Sequence, residues 1–481
     1  MLGTITIDIG TTSVKLCLFR PDGGLALVRR AATPTVNDEF GEIYDAAELL
    51  SVIHSFIRQL EPQQRESVQR IAITGVGESG GLVDEDIALV SPMVLWHDQR
   101  GTEYLAKLSK EQRARVYRVT GLPVNGNYGI SKTAWTANRA GDAAEASYWL
   151  NIAEYVAATM TGTRWSELSL ASRTMALDLT SKTWSAEVCQ DFGLHTSNFP
   201  PLAPAKIGHE ITSAFAAEVG LDPETRVHVA GHDHMVGAVG ASLQPGELLN
   251  STGTTEGLLM LRDQPRLDKD AEHAKLANGI SCTGDHYTLF ASIPTGGSAF
   301  ATLQKLLDTT AITLNGVLED LHEKYVSGVI DLGHIPLVLP QFRGSPPPTK
   351  NSGATAVISG LGNNSTMEQL VFGTFLGMVA QFHDVLALFD EPVDRVKVIG
   401  PASGNMLWLQ LKADYLGVPL AVSRFPEVVS RGAQVLASGS PISWYENDVF
   451  EIHPNLERHT QLMKWRADNS AKWEYMKGFP A

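Results

Sequence analysis

Three short segments combine residue types that could handle a phosphorylated ligand and a hydroxyl-rich one. The first is Asp8-Ile-Gly10-Thr11-Thr12. A tight turn of Gly and Thr offers backbone N–H groups and hydroxyls to an anion, and a carboxylate at the end of the preceding strand can hold Mg²⁺ through water. An ordinary hairpin turn has the same composition. The second is Ala230-Gly231-His232-Asp233-His234, a strand end running into a helix start. Asp233 there suits a general base pointing into a cleft, and equally a plain N-cap. Two histidines around an Asp without a further ligand motif do not make a metal site. The third joins Glu78 to Trp96-His-Asp98-Gln-Arg100. Carboxylates and an Arg accept and donate to hydroxyls while Trp covers C–H groups; a surface Asp–Arg pair beside a core Trp is the bland alternative. Neither Gly-x4-Gly-Lys-Ser/Thr nor a Gly-x-Gly-x-x-Gly between strand and helix occurs.

These residues need strands and helices to hold them, and the chain alternates both signals in the manner of α/β domains. Met1 to Asp8, Arg70 to Thr74, Arg226 to Ala230 and Val393 to Ile399 read as strands. Ala46 to Leu60, Asp233 to Leu243 and Met406 to Leu416 have helical spacing, and Arg343-Gly-Ser-Pro-Pro-Pro348 reads as a loop. Leu370 to Phe389 is the most apolar long stretch, but Thr374, Gln381, His383 and Asp384 interrupt it, so a buried amphipathic helix is expected. One faint internal echo appears: Gly253-Thr254-Thr255 repeats Gly10-Thr11-Thr12 half a chain later, each between two β-prone runs. It divides the chain into an expected first domain of residues 1–243 and a second of 244–481, packed around a cleft.

Composition bounds the partners. The 481 residues carry 53 acidic and 38 basic side chains, a net charge of −15, and no dense basic block. That argues against nucleic acid and against an anionic membrane, which are gripped by clustered Lys and Arg. Three scattered cysteines, Cys17, Cys189 and Cys282, make no disulfide framework. The first residues lack the cationic region and apolar core of a signal peptide, so a cytoplasmic location is expected.

In this order and spacing the segments resemble the FGGY family of carbohydrate kinases, of the actin, hexokinase and Hsp70 ATPase superfamily, along nearly the whole chain. Asp8 to Lys15 is similar to the family's first phosphate hairpin, and Ser251 to Thr255 to its second. Trp96-x-Asp98-x-Arg100 matches its sugar-contact motif, Lys132-x-x-Trp135 part of one signature, and Ala171-Ser-Arg-Thr-Met175 another familiar segment. Gly231-His-Asp233 falls where the family places its catalytic aspartate. Gly400-Pro-Ala-Ser403-Gly-Asn405 resembles the adenosine turn, with Pro401 where a Gly is common, and Arg431-Gly-Ala-Gln434 the closing helix. The second signature is loose, with Gly373 and Leu376 at its small and acidic positions. Where glycerol kinases read Asn-Gln-Arg-Glu and xylulokinases Gly-Gln-Met-His, this chain has Gly75-Val-Gly-Glu78.

The resemblance implies an α/β fold of two ribonuclease H-like (actin-like ATPase) domains with a central cleft. It implies ATP and Mg²⁺ as cofactors, Asp233 as catalytic base, and Glu78, Trp96, Asp98, Arg100 and Asp233 as substrate contacts. ATP contacts would be Gly10, Thr11, Thr12, Lys15, Gly253, Thr254, Thr255, Gly297, Gly400, Ser403 and Asn405. Asp8 and Asp233 would hold Mg²⁺ through water. The expected substrate is a ketose or related polyol presenting a terminal hydroxyl, Glu78 disfavouring an aldonate. Alternatives are a polyol kinase of the glycerol or erythritol type and a catalytically inactive sugar-sensing homologue. A homodimer is the family's common habit. Because the phosphate-facing segments hold no Lys or Arg beyond Lys15, anion binding is expected to rest on N–H groups, hydroxyls and Mg²⁺.

Overall fold

All seven residues of β1 (Gly3–Ile9) are buried, as in a strand covered on both faces. The computed structural model describes residues 3–144 and 146–478, so Met1 and Leu2 of the expected strand lie outside the described residues. β2 (Ser13–Phe19) returns antiparallel to β1, and β3 (Leu25–Ala32) continues the meander. On the other flank β4 (Val68–Gly75) lies parallel to β1. The sheet is completed by β5 (Gly208–Glu210), an antiparallel edge, and β6 (Arg226–His232), parallel to β4. Parallel β1, β4 and β6 therefore end side by side, and their carboxyl ends deliver Asp8, Glu78 and Asp233 to one region, the place where open α/β sheets bind ligands.

The second half repeats the plan. β7 (Glu247–Thr252) and β8 (Glu256–Arg262) form the hairpin, while β9 (Ala277–Ile280) and β10 (Tyr287–Ile293) extend it antiparallel. β11 (Arg395–Ile399) and β12 (Leu420–Ser423) follow in parallel, and β13 (Val449–Ile452) closes the edge antiparallel. Three antiparallel strands, two parallel ones and an antiparallel edge thus recur in both sheets, with β9 as an addition to the second. The short echo around Gly10 and Gly253 marks this duplication of architecture.

Other expected elements appear with shifted ends. The first helix is Ala46–Arg58, capped by the Asp45 side chain accepting from the Glu48 N–H, and the helix after β6 is Asp233–Gly240. Met406–Leu416 agrees with its sequence signal, and the Pro-rich stretch forms neither helix nor strand. Met367–Ala387 is long and apolar enough to cross a membrane, yet 72% of its most apolar window is buried within the protein. Thr374 and Gln381 are both buried in it, and Asp384 accepts from the Trp473 indole at 2.7 Å. It is a core helix.

The halves interlock through two helices. A Cβ on Gly432 of helix Val428–Ser438 would lie 2.0 Å from the Val236 carbonyl, and one on Gly240 would lie 2.1 Å from the Val428 carbonyl. Backbones can approach this closely only because both positions are glycine. The packing mixes Ala72, Ala230 and Val236 with Leu249, Ile399 and Ala433 in one apolar cluster. Asp233 thus begins a helix whose far end is clamped to the other half.

Candidate active site

A cleft of about 810 Å³ opens between the two hairpins. On one side the Asp8 carboxylate sits in register with Lys15, whose Nζ donates to Oδ2 at 2.9 Å. The turn between them closes through Gly10 N–H to the Ser13 carbonyl at 3.1 Å, and a Cβ on Gly10 would meet that oxygen at 2.9 Å. On the other side Gly253 N–H donates to the Thr255 carbonyl at 2.9 Å, a closure one residue tighter in the second half. Gly297 N–H donates to the Gly253 carbonyl at 2.8 Å, placing a third glycine against this turn. Gly400 (φ 102°) passes behind: its Cβ would lie 2.3 Å from the Thr252 carbonyl, and the Thr252 hydroxyl donates to Ile399 O at 2.8 Å.

Of the expected nucleotide residues, Gly10, Thr12, Lys15, Gly253, Thr255, Gly400 and Ser403 line this cleft together with Asp8 and Asp233. A neighbouring cavity of about 1080 Å³ is bounded by Gly253, Thr254, Gly297 and Asn405, with Phe375 and Trp408 as apolar walls. Asn405 accepts from the Trp408 N–H at 3.1 Å, capping the helix that follows. Thr11 faces elsewhere, accepting from the Trp96 indole at 2.9 Å.

Within the phosphate-facing segments Lys15 has no other Lys or Arg beside it, as the sequence has it, but Arg30 of β3 and Arg424 after β12 line the cleft as well. Neither belongs to a turn segment, so only the strand order brings them there. Lys15 is paired with Asp8 and stands 3.8 Å from Glu427; Arg30 binds Glu427 from the same side. These carboxylates raise the pKa of Lys15, Asp8 foremost.

Asp233 starts its helix with Oδ1 accepting from the His234 N–H at 2.6 Å. Burial raises its pKa, with His234 opposing and the Asp8 and Glu78 carboxylates adding to the rise. His234 Nδ1 meets the Ser251 hydroxyl at 3.0 Å, tying the helix start to the second hairpin. His232 is pushed well below its usual value by burial and by Arg173, so its ring is neutral. Its Nδ1 lies 3.3 Å from the His234 N and 3.2 Å from Asp233 Oδ1, and its Nε2 lies 3.9 Å from Glu78.

Glu78 holds φ 64°, a left-handed conformation that needs support from its surroundings. Arg173 supplies it, with Nε and Nη2 at 2.8 and 2.7 Å from the Glu78 Oε1. Sequence reading found no arginine in the Gly75–Glu78 loop; the structure brings one from the Ala171–Met175 segment. A Cβ on Gly77 would strike His232 at 2.4 Å and Arg173 at 3.2 Å, so the glycine makes room for both. The Arg173 guanidinium lies 5.1 Å from the Tyr128 ring and 5.8 Å from Phe290 of the second half. Arg173 and His232 stand within recognisable segments, but nothing local in the sequence marks which way their side chains turn.

Asp98 and Arg100, expected as sugar contacts, are bonded to each other. Arg100 Nε donates to Asp98 Oδ2 at 2.9 Å and Nη1 to Asp38 Oδ2 at 2.8 Å, and the guanidinium stacks 5.0 Å from Trp135. Its side chain is 3% exposed, so Arg100 spends its donors locking the Asp38 loop. Trp96 and its hydrogen bond to Thr11 connect this loop with the first turn.

No group of three His, Cys, Asp or Glu gathers for a metal among the described residues. Asp8 and Asp233 do fit a hard cation approached through water: both are carboxylates on one cleft wall, each within the other's field, beside threonine hydroxyls.

Paired turns from two like halves, facing across a cleft that holds an aspartate, define a two-domain phosphotransferase of the actin-like ATPase fold. The chain belongs to the FGGY family of carbohydrate kinases: the model of the N-terminal domain matches residues 4–240 and that of the C-terminal domain residues 248–440. It is accordingly a phosphotransferase with an alcohol acceptor. A gluconokinase of Bacillus subtilis is 24% identical over 96% of this chain and 92% of its own length. A xylulose kinase of Bacillus subtilis is 26% identical over 92% and 89%. The solved structure of Plasmodium falciparum glycerol kinase with ADP superposes with a TM-score of 0.85 at 18% identity, covering 98% of both chains.

Proposed function

We propose that this protein uses ATP to phosphorylate the terminal hydroxyl of an open-chain ketose or related polyol, with Asp233 as the general base. The observation that carries the reading is the position of Asp233, between the turn at Asp8 and the Glu78–Arg173 pair. The phosphates would lie against Gly10 to Thr12 and Gly253 to Thr255, and the adenosine against Gly297, Gly400, Ser403 and Asn405. Asp8 and Asp233 would hold Mg²⁺ through water; the ion supplies charge neutralisation on the phosphates. Asp233 accepts the proton of the attacking hydroxyl, while Glu78, Arg173 and Trp96 orient the sugar. Phosphoryl transfer competes with hydrolysis, so closing the halves on the sugar must exclude water. Domain division near residue 243, a cytoplasmic location and a homodimer belong to the same reading.

Sugar-dependent release of ADP from ATP separates this enzyme from an inactive sugar sensor. Asp233→Asn keeps sugar binding, read as a thermal shift, and lowers kcat by about two to four orders of magnitude. A variant turning over at near-normal rate removes Asp233 from the role.

A specific observation favours a sugar acid as a second reading. Lys350, half-buried on the Pro-rich loop of the second half, has no ion-pair partner among the described residues. Burial and the Arg173 cation push its pKa down to about 8, against the pull of Glu78. Arg173 Nη1 is buried without a hydrogen bond. Glu78, whose charge argued against an aldonate, is already neutralised by Arg173. A panel of ketoses, polyols and aldonates decides: an aldonate preference lost selectively in Lys350→Met establishes the second reading, and a neutral preference indifferent to Lys350 the first.

A further inference from the structure

The second hairpin stands on two polar side chains that face inward. Asn250 is the last residue before Ser251 and Glu256 the first after Thr255, and both are fully buried. One cation touches both: Lys412 Nζ donates to Asn250 Oδ1 at 2.7 Å and to Glu256 Oε2 at 2.6 Å. The Asn250 amide donates to Glu256 Oε2 at 3.2 Å, closing a triangle. Lys412 is itself fully buried, its ammonium 4.3 Å from the ring centres of Trp408 and of Phe382.

Lys412 belongs to the helix Met406–Leu416, which continues directly from the Gly400–Asn405 turn. Trp408 of that helix is a wall of the 1080 Å³ cavity, and Asn405 caps its start. The triangle therefore bolts the adenosine side of the cleft to both feet of the turn that faces the phosphates. A buried ion pair is weak evidence for stability, since apolar residues of similar volume usually serve as well. This one is also incompletely satisfied, with Glu256 Oε1 lacking any hydrogen bond. What it does provide is a single geometry, because neither charge can swing away without being stranded among aromatic rings.

Building on the reading of Ser251 to Thr255 as a phosphate clasp, we propose that Lys412 is a positioning residue that makes the adenosine and phosphate sites one rigid unit, so that base and phosphates bind cooperatively. Occupying the adenosine cavity fixes Trp408 and its helix; through Lys412 that fixes Asn250 and Glu256, and the turn between them is pre-set for the phosphates.

The test measures binding of magnesium pyrophosphate with and without saturating adenosine by calorimetry. In the wild-type protein adenosine tightens pyrophosphate binding by about 5- to 100-fold, the usual range for coupled sites. In Lys412→Met/Glu256→Leu, which removes both charges but leaves the buried Asn250 Oδ1 without its donor, the protein stays folded with a lowered thermal midpoint while the coupling falls below about twofold. KM for ATP then rises by the lost factor and KM for the sugar stays fixed. A folded double variant with wild-type coupling and wild-type KM for ATP overturns the proposal. If the double variant does not fold, Glu256→Gln, which keeps the shape but not the charge, must still lower the coupling, and unchanged coupling overturns the proposal. Wild-type protein that binds both ligands independently overturns this inference alone; binding neither overturns the kinase reading with it.

Discussion

Replacing Glu167 by Gln flattens the pH dependence of stability, for a reason visible beneath the strand end that carries Asp233. Glu154 and Glu167 are fully buried neighbours. Glu154 accepts from Asn151 N–H at 2.8 Å and Glu167 N–H at 3.1 Å, and Glu167 from Ser169 N–H at 2.8 Å. Burial raises Glu154 to about 7 and Glu167 to about 8, the Glu154 carboxylate adding to the second shift. An unfolded Glu titrates near 4.3, so above that pH the folded chain keeps protons that the unfolded chain has released. Stability therefore falls as pH rises, until both folded values are passed. Buried His228 and His383, lowered to about 4, act in the opposite sense, but only below about pH 6.5. The clear window is pH 6.5 to 7.5, because Lys132 and Lys350, lowered by burial to about 8, oppose the carboxyls above it. There the two carboxyls together cost about 2 kcal/mol in the wild type, and Glu154 alone about 0.7 kcal/mol in Glu167→Gln. For a half of this size that is a fall in thermal midpoint of about 4 °C against about 2 °C. Midpoints at pH 6.5 and 7.5, followed by circular dichroism for both proteins, decide it. Equal falls, or a wild-type midpoint that rises across the window, refute the reasoning.

Three further outcomes follow from the site. Arg173→Met strands the buried Glu78 carboxylate, lowering stability by about 3–5 kcal/mol; adding Glu78→Gln restores the thermal midpoint but leaves KM for the sugar raised, and a recovered KM would remove both residues from sugar binding. The elevated pKa of Asp233 places an acid limb on the pH profile of kcat/KM, activity rising with pH as the base deprotonates; a profile flat across that limb excludes it. Gly432→Ala puts a methyl group 2.0 Å from the Val236 carbonyl, which forces the two clamped helices apart and costs about 1–3 kcal/mol in denaturant unfolding; an unchanged midpoint would show that the helices are free to slide.

Strand-end residues were the legible part of this chain. Asp8, Gly10 and Asp233 stand where a buried run rich in β-branched residues stops at a glycine, and Gly253 where the strand Glu247–Thr252 does, so strand patterns ending in glycine locate such places. Side chains acting across the chain left no such mark. Arg173 reaches Glu78 through the tertiary fold, and the vacancy at Gly77 that admits it reads in sequence as one more glycine. Lys412 sits on a helix that the apolar pattern marks as core, and burial of a lysine there is decided by Glu256, far away in the chain. Asp98 and Arg100 show the converse. Their motif was plain, but an arginine has several donors, and which partner takes them depends on Asp38 and Trp135, which the motif does not contain.

The same distinction resolves the electrostatics of an acidic protein that is to hold a triphosphate. Lys15 and Arg30 lie on first-half strands, and Glu427 reaches them from the second half, so both are already compensated, whereas Arg424 lines the cleft with no ion pair among the described residues, 4.3 Å from the Phe450 ring. Arg30 is 60% exposed while Glu427 is 2% exposed, so the arginine is free to exchange its partner and the carboxylate is not. A phosphate arriving at the turns could draw Arg30 away only by leaving Glu427 buried beside Lys15 alone, an exchange of one anion for another with little net gain. On the proposed kinase reading, the attraction for phosphate rests on groups with no competing carboxylate: the N–H groups of the two turns, Arg424, and a cation that Asp8 and Asp233 would hold through water. Salt should accordingly weaken ATP binding only slightly, by much less than a site built on exposed Lys and Arg would show, because oriented backbone dipoles in a cleft are screened far less than surface charges.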